Sequence, residues 1–351
     1  MKFRITIGLC AGLMAVLALD AVAQIQIGGI MRDEYTLGLT PSIKSAGMGG
    51  AYVAVDKNYS MNPAALGGIQ RIEGTMSYGF YDHDAGPSGH KGKIDAAFKT
   101  PFTGAIAEWI PMLDFVKTSG MRIMMEGVGS DGAGTSKLRD AAGNPMDIDF
   151  DAMTFGMHSG VDVCDWLSLG SGMYPYEKSN VEFTGPGGKL DGEGLTQFGS
   201  MQYGAIVRPC DFIHFGAEFI YIKDDLEVDT PAGHMGDYFY INYFALGTAI
   251  MPFDGTIIAI DYWNGEIEGS VDNTNRFDQD IDRWNVGVQQ RVCDYCDLRL
   301  GSNNGGFTAG TTFHINENME LNYAYVNQAL RDKENIFGDT KYHGISFTAR
   351  F

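Results

Sequence analysis

Residues 341–351 read Lys-Tyr-His-Gly-Ile-Ser-Phe-Thr-Ala-Arg-Phe. Side chains of a strand point alternately to its two faces. Ile345, Phe347, Ala349 and Phe351 therefore share one face, and Gly344, Ser346, Thr348 and Arg350 share the other. A strand that is apolar on one side, polar on the other and ends on an aromatic residue suits the wall of an outer-membrane β-barrel.

The pattern recurs upstream. Alternating segments occur at 73–82, 91–112, 120–128, 150–163, 166–176, 195–207, 211–223, 237–250, 255–263, 281–292, 297–301, 306–315 and 319–326. With 341–351 they make about fourteen strands, an even number, as in single-chain bacterial barrels. Tight turns are expected at Cys164, Cys210, 252–254, Cys293 to Cys296 and 315–318, and longer polar loops at 129–149, 182–194, 224–236, 264–280 and 327–340. Short connections face the periplasm and long ones the outside. The expected fold class is all-β, a transmembrane antiparallel β-barrel.

The other end agrees. Residues 1–23 read as a secretory signal peptide: Lys2 and Arg4, an apolar run over 5–19, and Ala21-Val22-Ala23 before Gln24. No later run reaches the ~20 apolar residues of a spanning helix. Lipid satisfies no backbone hydrogen bonds, so spanning strands must close on themselves. Residues 24–72 lack sustained alternation and read as an N-terminal hatch or plug, leaving 73–351 for the barrel. The expected location is the outer membrane of a Gram-negative-type bacterium. Expected partners are membrane lipid, lipopolysaccharide and the barrel-assembly machinery, the last through the strand ending at Phe351. A net charge of −19 lacks the basic footprint that nucleic acid requires.

Four cysteines follow the signal: Cys164, Cys210, Cys293 and Cys296. An even count in an oxidising compartment favours disulfides, with Cys293–Cys296 across one turn and Cys164–Cys210 between turns as candidates. A redox or metal role for Cys293-Asp-Tyr-Cys296 is the alternative, but no second C-x-x-C or paired histidine accompanies it, so no metal is expected. Cys-Asp also opens three related segments, CDWLSLG at Cys164, CDFIHFG at Cys210 and CDLRLG at Cys296.

Other constellations carry less. Gly127 to Gly132 matches G-x-G-x-x-G, but no strand–helix unit surrounds it. Gly156-Met-His-Ser-Gly160 puts its serine in the wrong place for a nucleophile elbow. His158 and Asp162 belong on the lumen side of that strand. Without a Ser/His/acid set, neither an enzyme nor a cofactor is expected. The acids at 147–151, 224–227 and 278–282 read as solvated outer loops, or as divalent-ion bridges to lipopolysaccharide, and lack the full spacing of a Ca²⁺ loop. Arg291, Arg299, Arg350, Gln289, His214 and Glu218 are lumen-facing candidates. They either satisfy one another or offer an arginine to a carboxylate head group.

Before the first strand stand Ser45-Ala-Gly-Met-Gly-Gly-Ala-Tyr-Val-Ala-Val-Asp56 and Asn62-Pro63-Ala64-Ala65-Leu66. Here the chain resembles the FadL-like outer-membrane transporter superfamily, including its PorV-like branch associated with type IX secretion. Arg299 to Gly310 and the LNYAYV segment at 321–326 look closer to the PorV-like branch. The resemblance implies a fourteen-stranded barrel, a hatch built on Gly49, Gly50, Asp56, Asn62, Pro63 and Ala64, and lateral release of hydrophobic ligands through a gap in the wall. The chain is short for a fatty-acid transporter, and its outer loops read as acidic. By themselves, Gly49-Gly50 permit positive φ, and Asn62-Pro63 reads as a turn. Pro101 interrupts a strand, either as a candidate wall kink or as a break between two shorter segments. The expected function is binding or transport of fatty-acid-like hydrophobic molecules. The alternatives are a PorV-like accessory protein that binds exported cargo and a general porin, which a plug disfavours.

Overall fold

The structure is a computed structural model that describes residues 42–55, 62–83, 88–100, 118–131, 147–185, 188–196, 200–230, 233–271, 275–327 and 340–351. Its strands are β1 Glu73–His83, β2 Ser88–Lys99, β3 Thr118–Asp131, β4 Asp147–Cys164, β5 Leu167–Gly185, β6 Gly188–Thr196, β7 Ser200–Cys210, β8 Ile213–Thr230, β9 Gly233–Ile250, β10 Thr256–Val271, β11 Asn275–Cys293, β12 Cys296–Asn303, β13 Gly306–Asn316, β14 Met319–Asn327 and β15 Thr340–Arg350. All neighbours are antiparallel. β1 pairs with β15 from Glu73–Arg350 to His83–Thr340, which closes the barrel. β6 and β7 share one place in the wall, stacked end to end between β5 and β8. The fifteen strands thus fill fourteen wall positions, the number expected.

The alternation reading holds on the terminal strand. Ile345, Phe347 and Phe351 are exposed on the outside, and Ser346 and Thr348 are buried toward the lumen. The outer surface continues as an apolar belt through residues such as Phe215, Phe244, Ile260, Trp284 and Leu300. A charge within such a belt costs ~2–4 kcal/mol at mid-membrane. Phe347→Arg should lower the barrel's unfolding free energy in lipid vesicles by about that amount, read from urea titrations. An unchanged midpoint would place Phe347 outside the belt.

Three of the expected outer loops are instead largely strand. β5 runs on to Gly185 and β6 begins at Gly188, β8 reaches Thr230 and β9 begins at Gly233, and β10 reaches Val271 with β11 beginning at Asn275. β3 runs to Asp131 and β4 begins at Asp147, so both ends of the expected 129–149 loop are strand, and its middle lies outside the described residues. The reason is geometric. A tilted strand crosses a membrane in about 9–11 residues, whereas β4 has 18 and β11 has 19. The excess stands in water, where neither face needs to be apolar, so no alternation marks it. Asp147, Asp149, Asp151, Asp224, Asp225, Glu227, Asp278, Asp280 and Asp282 all lie on these strand ends.

The tight-turn end matches expectation at 165–166, 211–212, 294–295 and 317–318. At the opposite end Asn304 and Gly305 have φ of 45° and 89°. Positive φ at both central residues makes the type I′ hairpin that matches strand twist.

The disulfide expectation is corrected. Cys164, Cys210, Cys293 and Cys296 are all free thiols. Cys164 ends β4 and Cys210 ends β7, with β5 between them. Two strand spacings are ~10 Å, beyond the ~7 Å limit between Cα atoms of a bridge. Cys293 and Cys296 face each other as cross-strand partners without bonding. Pro101 and Asp56 lie outside the described residues.

Candidate functional site: the luminal segment and its clamp

Residues 42–55 and 62–69 lie inside the barrel, nearly all of them buried. The first part opens with helix α1, Ile43–Gly47. Ser42 caps it, accepting from the Ser45 amide at 3.1 Å, and Ser45 Oγ accepts from the Ser42 amide at 3.3 Å. This reciprocal box satisfies donors that a short helix leaves open. Gly49 and Gly50 then reverse the chain with φ of 71° and 77°. Only glycine takes that conformation freely. Gly49 lies against Ser302 of β12 and Val286 of β11, so a side chain there would also strike backbone.

The second part is a 3-10 turn, Pro63–Gly68. Asn62 caps it, its Oδ1 accepting from the Ala64 amide at 3.1 Å. Pro63 takes the first position, where a missing N–H costs nothing. The Asn62 amide group does more. Its Nδ2 donates to the Val53 carbonyl at 2.8 Å, and to the Ala205 and Ala217 carbonyls of β7 and β8 at 3.3 Å each. One side chain ties the two luminal parts together and both to the wall. Asn62, Pro63 and Ala64 thus form one unit. Gly49 and Gly50 sit apart from them, against β11 and β12.

The wall meets this segment with glycine. Gly120, Gly160, Gly170 and Gly204 are register partners on β3, β4, β5 and β7. A Cβ on Gly160 or Gly170 would overlap Pro63, one on Gly120 would overlap the Leu66 carbonyl, and one on Gly204 would overlap the Asn62 side chain. On the far side Gly287 and Gly301, again partners, receive Met48 and Gly49. The segment's backbone therefore lies directly on the wall's backbone, which is the use of glycine in a strand interior.

Polar clamps complete the fit. Asp261 of β10 accepts both the Tyr52 and the Val53 amide on one oxygen, at 2.6 and 2.9 Å. The Tyr52 hydroxyl donates to Glu218 of β8 at 2.7 Å, and Gln202 of β7 donates to the other Glu218 oxygen. Burial, with Glu218 beside it, raises the Tyr52 phenol well above its usual pKa and keeps it a donor. Lys44 pairs with Glu320 of β14 at 2.5 Å, and Thr308 of β13 donates to the Gly47 carbonyl at 3.2 Å.

On the side of the segment away from the tight turns, part of the lumen is lined by an apolar cluster. Tyr52, Met124, Ile220, Ile222, Ile241, Tyr243 and Trp263 form one buried cluster with Tyr174 packed against it. Tyr243 stacks on Trp263 with ring centres 5.3 Å apart, and Tyr52 meets Trp263 edge-on at 5.7 Å.

The fold now has counterparts among solved structures. The Pseudomonas putida toluene transporter TodX superposes with a TM-score of 0.56 at 12% identity, covering 88% of this chain and 98% of that one. The fold is that of the FadL-like channels. A Pseudomonas aeruginosa FadL homologue gives the same TM-score, identity and coverage, and a TodX variant described as a monoaromatic hydrocarbon channel gives 0.57 at 11% identity. No family model and no curated protein sequence matches the chain. The closed wall and its exposed apolar belt are those of an outer-membrane β-barrel.

Several residues anticipated from sequence face the lumen. Arg299, Gln289, His214, Glu218 and His158 are buried there. Arg299 donates to Gln289 and Thr312, so it is used within the wall. Arg291 lies near the tight-turn rim, half exposed and paired with Asp297 at 3.1 Å. Arg350 pairs with Glu320 at 3.1 Å and Glu73 at 3.5 Å. Asp261, Tyr52, Gln202 and the glycine contacts were not anticipated. Asp261 carried a signal: it is the one acid among the apolar residues of 256–263.

Proposed function

We propose that this barrel binds hydrophobic small molecules in its lumen and passes them across the outer membrane, with residues 24–72 acting as the hatch. The observation that carries the reading is the aromatic and aliphatic cluster above Tyr52. A water-filled pore has a polar interior, whereas an apolar lining is the usual wall of a site for apolar ligands. The solved barrels of this fold include a toluene transporter and a monoaromatic hydrocarbon channel, which supports the same class. Such a protein works by binding and displacement, and needs no catalytic group. The hatch would rest on the contacts of Asn62, Gly49 and Asp261, and a ligand would act by loosening them.

The test is extraction from native membranes in mild detergent, followed by mass spectrometry of what stays bound. A stoichiometric hydrophobic molecule, lost in a Trp263→Asp variant that keeps heat-modifiable gel migration, is the expected result. A stoichiometric secreted protein with no small molecule would replace this reading with cargo binding.

A further inference from the structure

The luminal segment does not meet the wall evenly. Backbone lies on backbone at β3, β4, β5 and β8 and again at β11, β12 and β13. Between α1 and the β1–β2 side lies instead a polar cavity of about 30 Å³. A water needs roughly 10–15 Å³ of such space, so about two fit. Its wall side carries Glu73, Thr75, Ser77, Asp95, Arg122 and Thr348. Register stacks these in rungs, Thr348 beside Thr75 beside Asp95, then Ser346 beside Ser77. The Thr75 and Thr348 hydroxyls are 3.2 Å apart.

The polar stripe extends both ways. Toward the tight-turn rim, Glu73 and its partner Arg350 are part-exposed, with side chains 16% and 19% accessible. In the other direction Ser77 is followed by Lys93, its register partner, and then by the Lys91–Glu126 ion pair. Tyr342 narrows the stripe, its ring lying over Gly79 of β1. Charges of both signs line the way. The lumen is therefore two-sided: hydroxyls and ions chiefly on β15 and β1 to β3, aromatics and aliphatics chiefly on β8 to β10.

We propose that the β1–β2 side is a hydrated seam that conducts water and small monovalent ions past the luminal segment. This activity is separate from the hydrophobic path and does not depend on it. Compensated charges exclude neither ion sign, hydroxyls replace part of an ion's hydration shell, and the cavity size limits passage to single file.

Planar bilayers holding the full-length protein test this. Wild type should show small, ohmic single-channel currents. Ser77→Trp should reduce them to the protein-free level by filling the cavity, and Tyr342→Ala should raise them. Ile241→Trp, on the apolar side, should leave them unchanged. Glu73→Gln combined with Asp95→Asn should shift the reversal potential in a salt gradient toward anion preference. Heat-modifiable migration in gels checks that each variant is folded. Absence of current in wild type overturns the proposal. So does loss of current in Ile241→Trp with Ser77→Trp unaffected. If Ser77→Trp does not fold, an unchanged current in Tyr342→Ala overturns it by itself.

Discussion

Leucine at Gly160 should drive the luminal segment off the wall and open the barrel. The wild-type glycine faces the Pro63 carbonyl and the Gly67 amide, both of them backbone atoms that cannot rotate aside. Overpacking by even a methylene or two costs ~1–3 kcal/mol, and leucine adds four carbons against immovable neighbours. The wall itself should survive. Gly160 pairs with Gly120 and Gly170 through backbone groups, and the new side chain projects only into the lumen. The expected result is a barrel that folds, with residues 62–69 losing amide protection in hydrogen exchange and conductance rising above that of the wild type. Barrels of 16–18 strands leave an aqueous channel, and those of about 8 do not. Fourteen positions lie nearer the open end of that range. Gly74→Leu is the control, because a Cβ there meets nothing within 4 Å. If Gly160→Leu keeps full protection at 62–69, the glycine row is not what seats the segment.

That glycine row bears on what the sequence discloses. Period-two alternation located the wall because one face of each strand meets lipid and must be apolar. It failed above the membrane, on 264–271 and 275–280, since a strand wet on both faces has no pattern to read. It also could not separate wall glycines from turn glycines. Gly120, Gly160, Gly170 and Gly204 lie far apart in sequence and become one row only through register, which is a property of the closed sheet. The Asn62-Pro63 turn was legible because its geometry is local, although its role as a cap was not read. Its partners Val53, Ala205 and Ala217 were not, because the nearest is nine residues away and the wall contacts lie more than a hundred away. The cysteines misled for a similar reason. Repeated Cys-Asp turns share one rim, yet sharing a rim says nothing about which strand lies between two of them.

Removing the Asp261 carboxyl should have the second large effect, and it distinguishes a segment held as one body from one held in pieces. Asp261→Ala strands the Tyr52 and Val53 amides in a buried site with no acceptor. Each stranded donor costs ~1–3 kcal/mol, about 2–6 kcal/mol for the pair. At ~1.4 kcal/mol per tenfold, protection of those amides should fall by at least ~30-fold. Asp261→Asn keeps an oxygen in place and should lose much less. Neither change removes the Tyr52–Glu218 bond or the glycine contacts, so the barrel stays folded and the readout remains local to the lumen. The response of 62–69 is then decisive. Asn62 joins the two parts through the Val53 carbonyl, so concerted release predicts that Asp261→Ala deprotects both stretches together, and that adding Asn62→Ala uncouples them. Loss confined to 51–55 would mean that the 3-10 turn is seated independently by its glycine row. Unchanged protection throughout would mean that backbone packing, and not the carboxyl clamp, holds the segment in place.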